Sequence, residues 1–377
     1  MEQGLQIGEL WGFAIRIHWS VVVLIWLFAW SLASSLPASV PGHSQPAYWL
    51  AGLGGATALG LSLLLHELSH AVVARRAGVR VVDLTLWLFG GVARLSDEAE
   101  SPRSEFRIAA AGPATSIALA AAFGCAAVGL RAVNVPELVV AVVAWLAVLN
   151  AALAAFNLLP GSPLDGGRIL RAYLWHRYGD PDRAALDSAR TGTVLAYSLI
   201  GLGLLQFLLG ALIGGTWLAF LGWFLLTAAR AEHSAVRSRR ILSKVSVAEA
   251  MTPQPRTAPA SISVDAFVRD YVLGARHSAY PVVAEDGSLV GLITLAQVRS
   301  LPAARRAHTS IGDVAIPPAE LAVAESTEPV TAVLERMTAS AGGRVLVIDS
   351  GHLVGILTAA DVSRLIDVAT PADSTGV

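Results

Sequence analysis

Two histidines, His66 and His70, lie four residues apart in the order His-Glu-Leu-Ser-His. On a helix this spacing places both imidazoles on one face, where they can reach a single zinc ion, with Glu67 beside them as a general base. Residues 48–65 carry no charge, so the cluster would finish an apolar helix. Each ionisable residue at the centre of a membrane span costs about 2.5 to 3.5 kcal/mol, and metal coordination would offset that cost. The alternative is the polar start of a basic loop, because two arginines follow soon after.

A second segment supplies a candidate for the third metal ligand. Catalytic zinc usually has three protein ligands, which leaves one position for water. Asp165 lies in the segment 157–167, which reads NLLPGSPLDGG. The prolines and glycines forbid a regular helix, and irregular backbone at membrane depth is tolerated only where it lines a protein or water cavity. A plain turn would account for the prolines and glycines, but not for an aspartate among them.

Several runs of the chain are long and apolar enough to cross a membrane. Of its 377 residues, 54% are hydrophobic, the mean hydropathy is +0.60, and one span needs about 20 apolar residues. Six spans are predicted, in the runs 19–36, 48–66, 108–130, 138–160 and, twice, 191–229. The last run is too long for one span, so it is predicted to fold back at Gly210 and Gly214-Gly215. The first is longer than a signal-peptide core and is expected to be retained; cleavage near residues 33–35 is the alternative.

The positions of lysine and arginine predict the orientation. These residues are concentrated after spans two, four and six, whereas the alternate loops hold only Arg131. Because short basic loops stay in the cytoplasm, both termini and the C-terminal tail are predicted to be cytoplasmic, in a multi-pass protein of the plasma membrane. The formal net charge of −1 offers no basic excess to phosphates. The lipid bilayer is therefore an expected partner, and nucleic acid is not.

The last third of the chain contains an internal repeat. At an offset of 64 residues, GSLVGLIT at 287–294 aligns with GHLVGILT at 351–358 without a gap. Each copy has the pattern strand, turn, strand and helix, preceded by an amphipathic helix from Val264 or Pro329. This pattern predicts a soluble α/β pair.

Residues from about 10 to 230 resemble the site-2 protease (M50) family of intramembrane zinc metalloproteases. The resemblance is carried by His-Glu-x-x-His in an early span and by Asn-x-x-Pro followed by Leu-Asp-Gly at the end of a later one. Gly90-Gly91 and Ala111-Gly112-Pro113 also match. The resemblance implies one Zn²⁺ per chain and these roles: ligands His66, His70 and Asp165; base Glu67; substrate or oxyanion contacts from Asn157 and Asn150; and substrate binding at Gly90 and Gly91.

Residues from about 246 to 368 resemble a tandem of CBS (cystathionine-β-synthase-type) modules. In that family a threonine and an aspartate three residues later hold a ribose. Thr358 and Asp361 match this pattern, whereas the first copy has Thr294 but Gln297. The resemblance implies either an adenine nucleotide bound on one side only, or a ligand-free module for regulation or for homodimerisation through the CBS domains.

The expected fold is a polytopic α-helical membrane protein with about six transmembrane helices and a soluble α/β tandem CBS domain. The predicted boundaries are a transmembrane metalloprotease domain at 1–230, a linker at 231–245, CBS domains at 246–302 and 310–368, and a disordered tail at 369–377.

The resemblance implies a metalloendopeptidase that cuts in or near the transmembrane segment of single-span regulatory membrane proteins, such as anti-sigma factors, and that the CBS pair modulates. The strand-forming segment 81–95 is our hypothesis for where an unwound substrate strand would pair. A hairpin on the membrane surface is the alternative. Two other classes compete: a CBS-gated transporter, which would spread polar residues along several spans, and a binding protein without activity, which would not need Glu67.

Overall fold

The computed structural model describes residues 4–10, 13–87, 90–95, 99–273, 277–340 and 343–369. The chain forms two compact units, residues 1–234 and 235–377. The predicted C-terminal tail, from residue 370 onward, lies outside the described residues.

Among the described residues, six helices of the first unit are long and apolar enough to cross a bilayer, which confirms the six predicted spans. They are α1 (Ser20–Ser39), α2 (Gln45–Arg76), α3 (Pro102–Ala132), α4 (Glu137–Asn157), α6 (Pro181–Leu208) and α7 (Leu212–Leu242). A shorter helix, α5 (Asp165–Tyr178), lies between α4 and α6. The predicted reversal of the last apolar run occurs at Gly210, between α6 and α7. Because α7 extends to Leu242, most of the segment expected as a linker is helical.

Local sequence explains where the two helices that build the site begin. α2 starts after Ser44 with a proline in its first turn, where the missing N–H would have no helical partner. α3 starts after Ser101, whose hydroxyl accepts a hydrogen bond from the backbone N–H of Ser104. The Ser104 hydroxyl accepts one in return from the backbone N–H of Ser101, so two N–H groups at the helix start are satisfied.

Helix α2 packs against α1, α3 and α4. Large apolar side chains of the first unit remain exposed, among them Trp26, Leu50, Leu61, Val128 and Ile213. Exposure of this kind on every long helix is typical of a surface that faces lipid.

A four-stranded sheet accompanies the helices of the first unit. Its strands are β1 (Gly4–Leu10), β2 (Phe13–His18), β3 (Val81–Trp87) and β4 (Gly90–Leu95), in that spatial order. β1 pairs with β2 and β3 with β4 in antiparallel fashion, and β2 pairs with β3 in parallel. The segment 81–95 contains the expected strands, and they pair as a hairpin, the arrangement given above as the alternative; β1 and β2 were not predicted.

The second unit contains seven strands and seven helices among its described residues. The strands are β5 (Thr252–Pro253), β6 (Ala258–Pro259), β7 (Ala279–Val283), β8 (Leu289–Thr294), β9 (Ala322–Ala324), β10 (Arg344–Asp349) and β11 (His352–Thr358). The helices are α8 (Val247–Ala250), α9 (Val264–Phe267), α10 (Leu295–Ser300), α11 (Ala303–Arg306), α12 (Ile311–Val314), α13 (Val330–Ala339) and α14 (Ala359–Ala369). A π-helical turn at Val268–Val272 and a 3₁₀ turn at Pro318–Glu320 complete it.

The repeat in the sequence is a repeat in the fold. The aligned segments form β8 and β11, and each is the second strand of an antiparallel hairpin, with β7 and β10 respectively. The two sheets have the orders β6-β7-β8 and β5-β11-β10-β9. β5 lies in the first predicted CBS domain, 246–302, but pairs with β11 of the second copy, and Leu292 of β8 bridges to Ile316, after the end of the first domain. The two copies are therefore interlocked within one unit.

Candidate metal centre

Three predicted ligands meet in the first unit. The Nε2 atoms of His66 and His70, both on α2, lie 3.3 Å apart. Oδ2 of Asp165, the first residue of α5, lies 3.2 Å from His66 Nε2 and 3.3 Å from His70 Nε2. The histidines are only 2% and 7% exposed. Within the described part of the chain, this trio is the one cluster of histidine, cysteine or acidic side chains with the separation of metal ligands.

Helix α3 orients both imidazoles. His70 Nδ1 lies 2.7 Å from the carbonyl oxygen of Ile108. Because a carbonyl only accepts hydrogen bonds, Nδ1 carries the proton and Nε2 presents its lone pair. His66 Nδ1 lies 2.9 Å from the hydroxyl oxygen of Ser116, which is fully buried. The hydroxyl can accept from Nδ1–H in the same way, and such outer contacts of metal-binding histidines fix the ring and its tautomer.

The donor set fits a divalent cation. Asp165 Oδ2 is buried and has no hydrogen-bond partner among the described residues. Two nitrogen lone pairs and one carboxylate oxygen therefore share a small space, which is unfavourable in a low-dielectric interior without a positive charge. Tetrahedral zinc, with bonds of about 2.0 to 2.2 Å, separates its ligand atoms by roughly 3.3 to 3.6 Å. The observed separations of 3.2 to 3.3 Å agree with that geometry.

Gly112 of α3 leaves the space that a metal ion needs. A Cβ atom at this position would lie 2.2 Å from His70 Nε2 and 2.6 Å from His66 Nε2. Both distances are shorter than a van der Waals contact, and they are close to the length of a bond between zinc and nitrogen. Any side chain at residue 112 would compete for the position between the two nitrogens.

Helices α6 and α7 hold the loop that carries Asp165. A Cβ at Gly192 of α6 would lie 2.0 Å from the carbonyl oxygen of Ser162, so the loop lies directly on the α6 backbone. The hydroxyl of Ser188 donates to the carbonyl of Gly167 over 2.7 Å. The hydroxyl of Ser162 donates to the carboxylate of Glu232 on α7. The irregular segment is therefore fixed from two sides.

The other residues predicted for this site lie as follows. Glu67 is partly buried on α2, beside His66. Asn157 is the last residue of α4, and its side-chain nitrogen donates to the carbonyl of Leu153 over 3.1 Å. Asn150 is fully buried, and its nitrogen donates to the carbonyl of Leu146 over 2.9 Å and contacts the hydroxyl of Ser62, one turn before His66, at 3.4 Å.

Gly90 and Gly91 open β4, opposite Trp87 and Leu86 of β3. β3 is paired on both edges, with β2 and β4, so it has no edge to offer to a substrate. The hypothesis that the whole segment 81–95 could accept a strand is therefore too broad. Among the described strands of this sheet, β4 and β1 are the ones paired on one side only, so the hypothesis is confined to β4.

The second unit contains a cavity of about 630 Å³. Thr358 and Asp361 line it, and the Asp361 carboxylate accepts hydrogen bonds from the Thr358 backbone N–H at 3.0 Å and hydroxyl at 2.6 Å. Four basic side chains also line it: Arg256, His277, Arg344 and Arg364. In the first copy, the hydroxyl of Thr294 donates to Gln297. Neither of these residues lines the cavity, so the two copies differ as their sequences do.

Several residues of the metal centre were not predicted from the sequence. Ser116 and the Ile108 carbonyl contact the histidines from another helix, and no local pattern marks them. Glu232 likewise gave no signal. Glu105 is an acid three residues before the predicted span 108–130, and its burial is known only from the structure.

Comparisons with known proteins assign the chain to a family. The model of peptidase family M50 matches residues 54–138 and 128–200, and that of the CBS domain matches 247–303 and 311–368. "Putative zinc metalloprotease Rip3" of Mycobacterium tuberculosis is 53% identical over 98% of this chain and 94% of its own length. Zinc metalloprotease MJ0392 of Methanocaldococcus jannaschii is 30% identical over 82% of this chain and 83% of its own. A solved site-2 protease from the same organism matches 61% of this chain and 95% of its own, at 25% identity and a TM-score of 0.38.

The matches to the M50 and CBS models lie in the two units in which the metal centre and the basic cavity were found. The chain is therefore a multi-pass membrane zinc metalloprotease of peptidase family M50, the site-2 protease family, and it carries a C-terminal pair of CBS domains.

Proposed function

We propose that His66, His70 and Asp165 hold the zinc ion of this protease, and that it cleaves single-span regulatory membrane proteins in or near their transmembrane segments. The observation that carries the proposal is the buried triangle of two Nε2 atoms and one Oδ2 atom, 3.2 to 3.3 Å on a side. Because the triangle lies between transmembrane helices, a substrate that is itself a transmembrane helix can approach it from the bilayer.

Residues of the chain would supply the general base, the orientation of the ligands and the oxyanion contact. Bound zinc lowers the pKa of water toward about 7 and polarises a peptide carbonyl. Glu67, beside His66, takes the proton from the attacking water and passes it to the leaving amine. The contacts of Ile108 and Ser116 keep the imidazoles fixed while charge moves. Asn157 donates to the developing oxyanion once its amide leaves the Leu153 carbonyl, which it contacts in this structure.

Replacing the general base tests the mechanism. Glu67→Gln keeps the size of the side chain but removes the proton acceptor, so cleavage of a single-span substrate should fall about 10²- to 10⁴-fold. Zinc content, measured on the same purified protein, should not change. Glu137→Gln, an exposed glutamate in the first turn of α4, is the matched control and should cleave normally. Full activity in Glu67→Gln would contradict the proposed mechanism.

Gly112 provides a test of the metal position. Gly112→Ala places a methyl group between the two Nε2 atoms, so zinc binding should weaken about tenfold or more. The control is Gly124→Ala in the same helix, where the nearest atom to a new Cβ is Ala147 Cβ at 4.0 Å. Titration of each purified variant with zinc against a competing chelator measures the affinity. If Gly112→Ala bound zinc as tightly as Gly124→Ala, the ion would have to lie elsewhere.

We also propose that both termini and the CBS unit are cytoplasmic, because arginines follow the second, fourth and sixth spans and Arg131 alone lies on the other side. Cys125 is the single cysteine, so Cys125→Ser gives a background without thiols. On this background, Asn134→Cys, between α3 and α4, should react in intact cells with a maleimide that cannot cross membranes. Ser243→Cys, beyond α7, should react only after the cells are opened. The reverse pattern would invert the topology.

The CBS unit is proposed to bind an adenine nucleotide and so to modulate cleavage. The 630 Å³ cavity combines Asp361, an acceptor for ribose hydroxyls, with four basic side chains that suit phosphates.

Calorimetry of the full chain with ATP and with AMP tests this binding. Asp361→Asn removes the ionised acceptor and should weaken binding at least about tenfold, because charge-assisted hydrogen bonds are among the strong ones. Gln297→Ala, at the matching position of the first copy, should not change the affinity. Absence of nucleotide binding to the unmodified chain would leave the CBS pair as a ligand-free module.

A further inference from the structure

A partly buried ion pair joins α3 and α5 beside the metal centre. Nε of Arg168 lies 3.1 Å from Oε1 of Glu105. Glu105 is in the first turn of α3 and only 3% exposed, and Arg168 is in the first turn of α5. A carboxylate out of water is costly unless it is paired, so Glu105, whose side chain is 4% exposed, depends on Arg168, whose side chain is 32% exposed.

The spacing of the pair suggests what it does. Glu105 lies three residues before Ile108, whose carbonyl fixes His70, and Arg168 lies three residues after Asp165. Residues three apart on a helix lie on the same face. The ion pair is therefore about one turn from a histidine contact on α3, and about one turn from the carboxylate on α5.

Other contacts already hold α5 to the rest of the unit. The Ser188 hydroxyl donates to the Gly167 carbonyl, and the loop before α5 lies on Gly192 of α6. These contacts tie α5 to α6, which carries none of the three proposed ligands. α5 also packs directly on α3, and the Glu105–Arg168 ion pair joins the two helices, and with them Asp165 and the helix that orients both imidazoles.

We propose that Glu105 and Arg168 are positioning residues, which hold Asp165 at bonding distance from the ion between His66 and His70 and so set the zinc affinity. This inference rests on the proposed function of the three ligands. Neither residue contacts substrate in the proposal; both act through the position of α5 relative to α3. Loss of either charge removes the ion pair between the two helices, and α5 should then shift away from α3.

The test measures metal binding by the full chain in detergent, with Zn²⁺ alone as the probe and a competing chelator as the indicator. Glu105→Gln and Arg168→Gln should each weaken zinc binding about tenfold or more, because a displaced Asp165 no longer sits at bonding distance from the ion. The charge-reversed double variant, Glu105→Arg with Arg168→Glu, should recover most of the affinity. The control, Arg190→Gln, breaks an exposed pair with Asp187 on α6 and should bind zinc normally.

Two further measurements, a cobalt absorption spectrum and the zinc affinity of a conservative variant, separate a positioning role from a purely structural one. With Co²⁺ in place of zinc, the visible absorption of a tetrahedral site should change shape in both single variants. Arg168→Lys keeps the charge but not the guanidinium geometry, and gives a milder variant if the glutamines do not fold; it should show an intermediate affinity. Single variants that lower the unfolding temperature but bind zinc with unchanged affinity and an unchanged cobalt spectrum would overturn the proposal.

Asp165→Ala separates this inference from the function on which it rests. If Asp165→Ala binds zinc as tightly as the unmodified chain, the proposed ligand set is wrong, and the positioning role falls with it. If Asp165→Ala loses affinity and the Glu105 and Arg168 variants do not, only the positioning role is contradicted.

Discussion

Two imidazole nitrogens and a carboxylate oxygen lie 3.2 to 3.3 Å from one another in the interior of a helical membrane unit. Without a shared cation such a triangle is repulsive, because its three atoms are all electron-pair donors and little water is present to separate them. Much of the surrounding structure serves this arrangement. α3 has no side chain at Gly112. It also supplies the Ser116 hydroxyl and the Ile108 carbonyl, which contact Nδ1 of His66 and of His70 and so direct the two Nε2 lone pairs toward the metal position. α6 and α7 fix the loop from the other direction.

The parts of this arrangement that the sequence predicted are those with a local signal. Charge-free runs gave the six spans, because the thickness of the bilayer sets their length. The His-x-x-x-His spacing identified the face of α2, and Asp165 stood out as an acid among prolines and glycines. The repeat of 64 residues gave the paired hairpins β7–β8 and β10–β11.

What could not be predicted depends on contacts between distant segments. Ser116 has the sequence context of any serine in a span, and only the packing of α3 on α2 brings it to His66. The parallel pairing of β2 with β3 joins residues on either side of two helices, so no local pattern reveals that β3 is interior. Asn150 is fully buried on α4. Its contacts with Leu146 and Ser62 follow from how closely α2 and α4 approach.

A measurement of the atoms that coordinate zinc tests the proposed site most directly. X-ray absorption at the zinc K-edge of the purified chain should show oxygen and nitrogen neighbours at about 2.0 to 2.1 Å, with the outer scattering of two imidazoles and no sulfur. His70→Ala should remove one imidazole from that pattern. A spectrum with sulfur ligands, or one that His70→Ala leaves unchanged, would contradict the assignment of His66, His70 and Asp165 as the zinc site.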